Sequence, residues 1–357
     1  MKIFLLLNDY LGGAENVLLQ LSQAYKSKGH DVKVFVLGNK QTDYWSSLDS
    51  DNFKVLYFNK KIRTFLKALR YQNKYEPMIF TTHVYLTGFV GFFTKLGFIK
   101  KRSFVAREST QIFARYKGLK LFTYKICYYL GYPAVDLLIC QTSSMKTDFI
   151  KSMPFLKKRI NIKVIPNPFN SALVVNNEKF IVESVSSIDF IVTAGRFIQE
   201  KGFDFLINAF KVVRKSFPEL KLVILGEGAL REKLEEQILN LDLKNHVVLP
   251  GFVSNVYPYF KKAKVCVVSS RIEGFPNILL QMMSQNTKVV STFCAGDIDK
   301  LKGVMLVPIE NVNKLAESII LTLQKDTSLN RVFFDKELES RSVNNFINNI
   351  EISLQNV

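Results

Sequence analysis

The sequence has little of several residue types that would restrict its function at once. Its 357 residues include four cysteines, three histidines and one tryptophan. The cysteines are scattered without any C-x-x-C spacing, and two of them lie in apolar, strand-like runs. This pattern predicts buried core thiols in a reducing compartment. The four residues are Cys127, Cys140, Cys266 and Cys294.

Long apolar runs are also missing. No stretch of about 18 uncharged apolar residues occurs, so no membrane-spanning helix is expected. The N-terminus, MKIFLLLND, has one lysine and too short an apolar run for a signal peptide. We therefore expect a cytoplasmic protein. With 48% hydrophobic residues the chain should fold, and its length favours two domains of roughly 150 to 200 residues.

Acidic residues are scarce in the first half only. Residues 1–168 contain 27 Lys and Arg against 10 Asp and Glu, a net +17, whereas residues 169–357 contain 22 against 21, a net +1. Such an asymmetry indicates that the first half meets an anionic surface or a polyanion. Membrane phospholipid and nucleic acid are the two candidates.

Short β-branched runs alternate with helical patterns throughout the chain, which predicts an α/β fold with parallel, doubly wound sheets. The runs of the first half are residues 3–7, 32–37, 54–58, 78–82, 103–106 and 136–140. A second series occupies residues 190–194, 222–225, 247–251, 265–268 and 289–291. The repetition predicts two Rossmann-like domains.

The boundary between the domains is predicted at a pair of prolines. Pro166 and Pro168 form a stiff connector, and a polar stretch from Asn170 to Ser187 follows them. We therefore predict an N-terminal domain at residues 1–168 and a C-terminal domain at 169–325. Residues 326–357 are predicted to be a helical tail that packs back toward the N-terminal domain.

Two segments of the first half interleave aromatic residues with lysine and arginine. They are residues 84–104 and 111–132. Each alone is better explained by core aromatics beside a solvated rim. Together with the charge imbalance they favour a surface that enters anionic lipid headgroups, which makes the anionic membrane surface a predicted partner.

Several candidate site residues follow predicted strands of the first half, where open α/β sheets bind ligands. The glycine pair Gly12 and Gly13 either makes a tight loop or admits a phosphate or sugar to a helix N-terminus. His83 follows another strand, and its alternative role is that of a hydrogen-bonded structural residue. Arg107 and Glu108 follow a third, where either could be a salt-bridged loop residue.

The second half places a polar loop, Ser269 to Gln281, between a strand and a helix. Pro276 suits a helix start, and the amides from Phe275 to Ile278 would face an anion beside the carboxylate of Glu273. Arg196 and Lys201 lie five residues apart between a strand end and a helix start, so both can reach one diphosphate. Cations for a diphosphate and an acid for hydroxyl groups together indicate a nucleotide sugar.

These motifs in this order resemble the retaining glycosyltransferases of glycosyl transferase group 1 (family 4). The resemblance covers residues 1 to about 325. It is carried by 12–15 (GGAE), 166–168 (PNP), 195–196 (GR), 200–202 (EKG), 226–228 (GEG) and 270–281. It implies a GT-B fold, in which two facing Rossmann-like domains form an interdomain cleft that holds a nucleotide sugar.

The resemblance also implies roles for individual residues. Arg196 and Lys201 would bind the donor diphosphate, Glu273 would contact donor sugar hydroxyls, and His83 would lie near the reacting carbon. Further donor contacts would come from Gly12, Gly13, Gly195, Gly226, Phe275, Pro276, Asn277 and Ile278. Arg107, Glu108 and Asn167 would line the acceptor side. No metal or other cofactor is expected, because the cations and helix amides take the metal's electrostatic role.

One position departs from the family pattern. Gln281 stands where the second Glu of the family's E-x7-E motif would bind the ribose. A glutamine amide still offers an oxygen to a ribose hydroxyl, although its hydrogen bonds are uncharged. We therefore expect an active enzyme whose donor preference could differ from that of its relatives.

The sequence thus favours a peripheral membrane enzyme at the inner face of the cell membrane. It would move a sugar from a nucleotide donor, a UDP-sugar, to a lipid-linked saccharide in bacterial surface polysaccharide assembly, with retention. A sugar-nucleotide epimerase on the same scaffold would need more acids and histidines in its cleft. A dinucleotide oxidoreductase would need G-x-G-x-x-G after the first strand. A third alternative is a non-catalytic protein that binds nucleic acid. Against it, the sequence contains no recognised nucleic-acid-binding module.

Overall fold

The computed structural model describes residues 1–9, 12–174 and 187–355. They form two compact units, an N-terminal unit of Met1–Pro168 with Val343–Val357 and a C-terminal unit of Phe169–Ser342. Most of the polar stretch predicted after the proline pair lies outside the described residues. In the described part of the chain the four cysteines are free, and Cys127 is only partly buried, unlike the other three.

The N-terminal unit has a sheet of seven parallel strands in the order β3-β2-β1-β4-β5-β6-β7. Each strand is short and apolar, and helices cover both faces, as parallel sheets require. The strands are β1 Lys2–Leu6, β2 Val32–Val36, β3 Phe53–Tyr57, β4 Met78–Thr81, β5 Ser103–Arg107, β6 Leu137–Cys140 and β7 Asn161–Val164. The helices are α1 Gly13–Ser27, α2 Ile62–Tyr71, α3 Val84–Lys95, α4 Ile112–Arg115, α5 Gly118–Leu130 and α6 Ser143–Ser152.

The C-terminal unit has six parallel strands in the order β10-β9-β8-β11-β12-β13. These are β8 Phe190–Ala194, β9 Lys221–Leu225, β10 Val247–Gly251, β11 Val265–Val268, β12 Val289–Thr292 and β13 Met305–Val307. Its helices are α7 Phe203–Val213, α8 Arg231–Asn240, α9 Tyr257–Lys262, α10 Asn277–Gln285, α11 Val312–Gln324 and α12 Asn330–Ser340. The sequence did not predict β13, which has only three residues and pairs with β12 at the sheet edge.

The two helices of the predicted C-terminal tail belong to different units. Its first helix, α12, belongs to the C-terminal unit because Phe334 and Leu338 are buried in that unit's core. Its second helix, α13 (Val343–Gln355), belongs to the N-terminal unit, where Phe346, Ile347 and Ile350 pack into the core beneath β1 and α1. The C-terminal unit therefore ends at Ser342 rather than at residue 325, and only α13 returns to the N-terminal unit.

Candidate functional site

In the N-terminal unit, Glu15 and His83 form a pair that the sequence did not predict. Glu15 lies in the first turn of α1, His83 caps α3, and Oε1 of Glu15 is 2.8 Å from Nε2 of His83. An ionised carboxylate only accepts hydrogen bonds, so Nε2 carries the proton and Nδ1 is the ring nitrogen that Glu15 does not engage. Glu15 was visible in the sequence within the GGAE motif, but nothing there indicated a contact 68 residues away.

Gly12 is required by this arrangement. A Cβ atom at position 12 would lie 2.6 Å from Oε2 of Glu15, so a larger residue would push the carboxylate away from His83. Gly13 follows as the first residue of α1 and is exposed. The glycine pair thus leaves space at a helix N-terminus for the Glu15 side chain, and an anion contact at Gly13 stays a prediction.

Arg107, Glu108 and Asn167 are buried rather than loop-exposed. Arg107 donates from Nη2 to Oδ1 of Asn167, and Asn167 donates in turn to Gln141 at 2.8 Å. Burial lowers the pKa of Arg107 to about 10, against the charges of Glu108 and Glu15, so the guanidinium stays charged near neutral pH. Within the described part of the chain, Nε and Nη1 of Arg107 have no hydrogen-bond partner.

Glu108 is the first residue after β5, and its side chain contacts the end of α5 and the residues that follow it. Its carboxylate accepts hydrogen bonds from the hydroxyls of Tyr128 at 3.0 Å and Tyr132 at 2.9 Å. Burial raises the pKa of Glu108 to about 7, and the two tyrosine hydroxyls and Arg107 oppose this rise. The structure thus ties Glu108 to α5, and its contact with an acceptor stays a prediction.

In the C-terminal unit, Lys201 and Glu273 lie together at the carboxyl ends of the neighbouring strands β8 and β11. Nζ of Lys201 is 2.7 Å from Oε1 of Glu273, and Oγ of Ser270 donates to the same oxygen at 2.9 Å. The two charged side chains are 18% and 19% exposed. The structure therefore brings together the predicted diphosphate cation and the predicted sugar ligand.

Two glycines allow close packing at the ends of β8 and β9, where the Lys201 side chain lies. A Cβ atom on Gly195 would lie 3.2 Å from Cε of Lys201, so the space above this glycine holds the lysine stem rather than a ligand. Gly226 has φ +135°, and a Cβ atom there would lie 1.9 Å from the carbonyl oxygen of Gly195. Both glycines bring the strand ends close together. Their predicted donor contacts remain untested.

Arg196 is exposed beside this pair. Among the residues that the structure describes, its guanidinium makes no hydrogen bond or ion pair. A surface cation that is not occupied by a carboxylate can bind an anionic ligand. This observation agrees with the role predicted for Arg196, although it does not test that role.

Arg271 binds the two loops of this site together, and the sequence gave no sign of it. Its guanidinium donates to both carboxylate oxygens of Asp204 at 2.7 and 2.6 Å, to Glu310 at 2.6 Å and to the carbonyl of Gln199 at 2.7 Å. Its backbone N–H donates to the carbonyl of Glu200 at 2.7 Å. The hydrogen bonds that Arg271 donates to Asp204 raise the pKa of Arg271, although burial opposes this rise.

The pKa of Asp204 shifts in the opposite direction. Burial alone would raise the pKa of Asp204, but the hydrogen bonds and the charge of Arg271 lower it below its usual value. The pair therefore stays ionised and bidentate. It holds the Gln199–Lys201 turn against the loop that carries Glu273.

The remaining predicted residues lie at the start of α10. Pro276 precedes the helix as its N-cap, and Asn277 is its first residue. Phe275 is buried, and the guanidinium of Arg341 lies over its ring at 4.6 Å. A helix of nine residues begins here, so the amides of its first turn have no partner within the helix, and their contact with an anion stays a prediction.

Gln281 is not isolated in the first turns of α10. Its side chain is hydrogen-bonded to the hydroxyl of Tyr257, a residue of α9 that the sequence did not indicate. Burial raises the pKa of Tyr257, and the bond to Gln281 opposes this rise. A ribose contact at Gln281 stays a prediction.

In the described ranges, no three His, Cys, Asp or Glu side chains gather closely enough to hold a metal ion. The predicted site residues of both units instead include charged pairs near the carboxyl ends of parallel strands.

Residues 11–173 match the family model described as Glycosyltransferase Family 4, and residues 189–325 match that of Glycosyl transferases group 1. The chain belongs to the group 1, family 4 glycosyltransferases.

Several curated relatives of this chain carry glycosyltransferase names. An uncharacterized glycosyltransferase of Methanocaldococcus jannaschii is 33% identical over 174 residues, which cover 47% of this chain and 42% of the relative. A Campylobacter jejuni enzyme is 26% identical over 356 residues, covering 95% and 91%. Its name is GalNAc-alpha-(1->4)-GalNAc-alpha-(1->3)-diNAcBac-PP-undecaprenol alpha-1,4-N-acetyl-D-galactosaminyltransferase. For the first two curated relatives, the match spans 42% and 56% of the relative's own length.

Solved glycosyltransferase structures share the fold. HepE from Anabaena, in complex with UDP-glucose, superposes with a TM-score of 0.82 at 18% identity and full coverage of both chains. This likeness and the two parallel sheets establish the GT-B fold that the sequence predicted, with one Rossmann-like unit in each half of the chain.

Proposed function

We propose that the protein transfers a sugar from a UDP-sugar to a lipid-linked saccharide, with retention of the anomeric configuration and without a metal ion. The Lys201–Glu273 pair carries this proposal. It places a cation for the diphosphate and a carboxylate for sugar hydroxyls at two neighbouring strand ends, 2.7 Å apart. A nucleotide sugar needs both groups, the cation for its diphosphate and the carboxylate for its sugar hydroxyls.

The residues divide the chemistry between them. Lys201 and Arg196 stabilise the negative charge that grows on the diphosphate as its bond to the sugar C1 breaks. Glu273 holds the sugar hydroxyls, and the amides at the start of α10 bind the anionic end of the donor. The acceptor hydroxyl attacks C1 from the side of the leaving group, and its proton passes to a diphosphate oxygen. His83, whose ring is hydrogen-bonded to Glu15, is assigned a contact with the donor sugar near its reacting carbon.

The donor and acceptor classes draw support from the relatives. HepE binds UDP-glucose, and the Campylobacter enzyme's name describes a saccharide on undecaprenyl diphosphate. A saccharide on a polyprenyl diphosphate is a lipid-linked acceptor. We therefore assign the transfer to bacterial surface polysaccharide assembly at the inner face of the cell membrane.

A screen of nucleotides and nucleotide sugars by thermal unfolding tests the donor assignment. We expect UDP and one or more UDP-sugars to raise Tm by about 5 °C at about a hundredfold excess over Kd, because they bind only the folded C-terminal unit. NMR of the released or transferred sugar should show the donor's anomeric configuration. An absence of stabilisation by every nucleoside diphosphate would defeat the proposal, and an inverted product would defeat its retaining mechanism.

Arg271 is expected to act as a positioning residue for this reaction. Arg271→Lys keeps the charge but loses the bidentate bond to Asp204, so the Lys201 turn should shift relative to Glu273. We expect kcat to fall about tenfold to a hundredfold, with a smaller change in KM for the donor. Steady-state kinetics with the donor found in the screen measures this split.

Arg331→Lys is the matched control, because Arg331 pairs with Asp335 on α12, a helix that carries none of the predicted site residues. Its kcat and KM should equal those of the parent protein. If Arg271→Lys changes Tm but leaves kcat unaltered, Arg271 serves stability alone.

A further inference from the structure

Helix α5 is apolar on its outer face as well as its inner face. Its inner face packs Tyr124 and Tyr128 into the core of the N-terminal unit. Leu119, Phe122 and Ile126 face outward and are 79%, 59% and 40% exposed, and Tyr129 and Leu130 continue the same stripe. A helix that is apolar all round is normally covered on all sides. We call the stripe formed by these five outward residues the α5 face.

The position of α5 is fixed from beneath. α3 runs beside it, and three glycines bring the two backbones into contact: a Cβ atom on Gly88 would lie 2.5 Å from Cβ of Cys127, and one on Gly91 would lie 2.2 Å from the carbonyl oxygen of Gly131. Tyr85 stacks on Tyr124 with ring centroids 4.6 Å apart. Because α5 cannot turn its outer face inward, the exposure of the α5 face is a stable property of the fold.

The charge around the α5 face has a single sign. Residues 84–132 contain nine Lys and Arg and one acid, Glu108, which is buried beneath α5. Lys117 and Lys120 are exposed at the start of the helix, and Lys125 is half-buried along it. An apolar stripe flanked by lysines matches the boundary between anionic headgroups and acyl chains.

We infer that the α5 face is the surface by which this protein lies on an anionic lipid bilayer, with Phe122 and Ile126 entering the acyl boundary. This goes beyond the proposed sugar transfer, since the docking requires neither donor nor acceptor. It also sharpens the prediction from the sequence, because Tyr124, Tyr128 and Tyr132 are core residues, whereas the outward residues of α5 are exposed and can meet the lipid.

Two other occupants fit the α5 face less well. A second copy would bring the same lysines against one another, which like charges disfavour. Single-stranded nucleic acid binds through stacking on aromatic rings along a basic groove, whereas three of the five residues of the α5 face, Leu119, Ile126 and Leu130, are aliphatic. Across residues 1–9, 12–174 and 187–355, no helix has the length and hydropathy needed to cross a bilayer.

Flotation with vesicles tests the inference. The full chain is mixed, without nucleotide, with vesicles of phosphatidylcholine or of an equimolar mixture of phosphatidylcholine and phosphatidylglycerol. We expect flotation with the mixed vesicles only, weakened by salt. Phe122→Glu should weaken this binding roughly tenfold or more, and Lys120→Gln about fivefold.

Leu239→Glu is the matched control. Leu239 is 57% exposed on α8 of the C-terminal unit, so the same change in charge and apolar area is made elsewhere. Circular dichroism should show all variants folded. The inference is overturned if the parent protein does not float with anionic vesicles, or if Phe122→Glu binds them as well as Leu239→Glu does. It is also overturned if Phe122→Glu instead abolishes self-association or binding to single-stranded DNA while the parent fails to float.

Discussion

Replacing Lys201 by alanine is expected to lower the rate of sugar transfer about a hundredfold to a thousandfold. The ammonium group is the partly buried cation of the site, and its loss removes a preorganised charge from the diphosphate as that group leaves. The change also removes the Lys201 donor from the Glu273 carboxylate, which keeps its hydrogen bond from the Ser270 hydroxyl. Single-turnover kinetics with saturating donor measures the effect on the chemical step.

A companion variant separates the two halves of the pair. Glu273→Gln keeps the side chain's shape but removes its charge, so UDP alone should still raise Tm. The additional stabilisation that a UDP-sugar gives over UDP should shrink, because the sugar hydroxyls lose a charged acceptor. Lys201→Ala should weaken the response to both ligands. If UDP and the UDP-sugar shift the Tm of both variants equally, Lys201 and Glu273 do not recognise different parts of the donor.

Lys211→Ala serves as the control for Lys201→Ala. Lys211 is an exposed lysine in the last turn of α7, in the same unit, and its removal changes the net charge equally. Its transfer rate should match that of the parent. A large loss of rate in Lys211→Ala would indicate that overall charge, rather than the Lys201 site, controls turnover.

Replacing Gly131 by alanine should produce the largest loss of stability. A Cβ atom at this position would lie 2.0 Å from the carbonyl oxygen of Gly88 and 2.6 Å from its Cα atom. These are backbone atoms, so no flexible side chain can move aside, and α3 and α5 must separate. We expect the free energy of unfolding of the N-terminal unit to fall by about 3 kcal/mol. Hydrogen exchange can resolve this unit from the other.

Gly29→Ala isolates the contribution of backbone conformation. Gly29 has φ +79°, and a Cβ atom there meets nothing within 4 Å. Its substitution should cost about 1 kcal/mol from the left-handed conformation alone. If Gly131→Ala costs no more than Gly29→Ala, the close approach of α3 and α5 is not needed for stability.

Much of the fold could be predicted because its signals are local. Short β-branched runs, glycine turns and helical periodicity recur within windows of a few residues, so most strands are found to within one or two residues of the prediction. β13 was missed because three residues are too few to show a period. The tail was predicted as one piece because periodicity shows which residues of a helix are apolar, but not which core receives them.

The site was predicted unevenly for a similar reason. Lys201 and Glu273 were recognisable because each belongs to a motif with its own spacing. Arg271 lies inside one of those motifs, yet its partners Asp204 and Glu310 are 67 and 39 residues away. No local sequence pattern distinguishes an arginine that links two loops from one that is exposed to solvent.

The sequence by itself determined the two doubly wound sheets, the family and the residue types that suit a nucleotide sugar. The succession of strand and helix patterns and the spacing of the motifs are both properties of the sequence alone. Only the tertiary structure decided that Glu15 holds His83, that Arg271 joins two loops and that Phe122 faces outward while Tyr124 faces the core. These features depend on contacts between residues far apart in sequence. Such contacts follow from the packing of whole elements, which composition and periodicity do not specify.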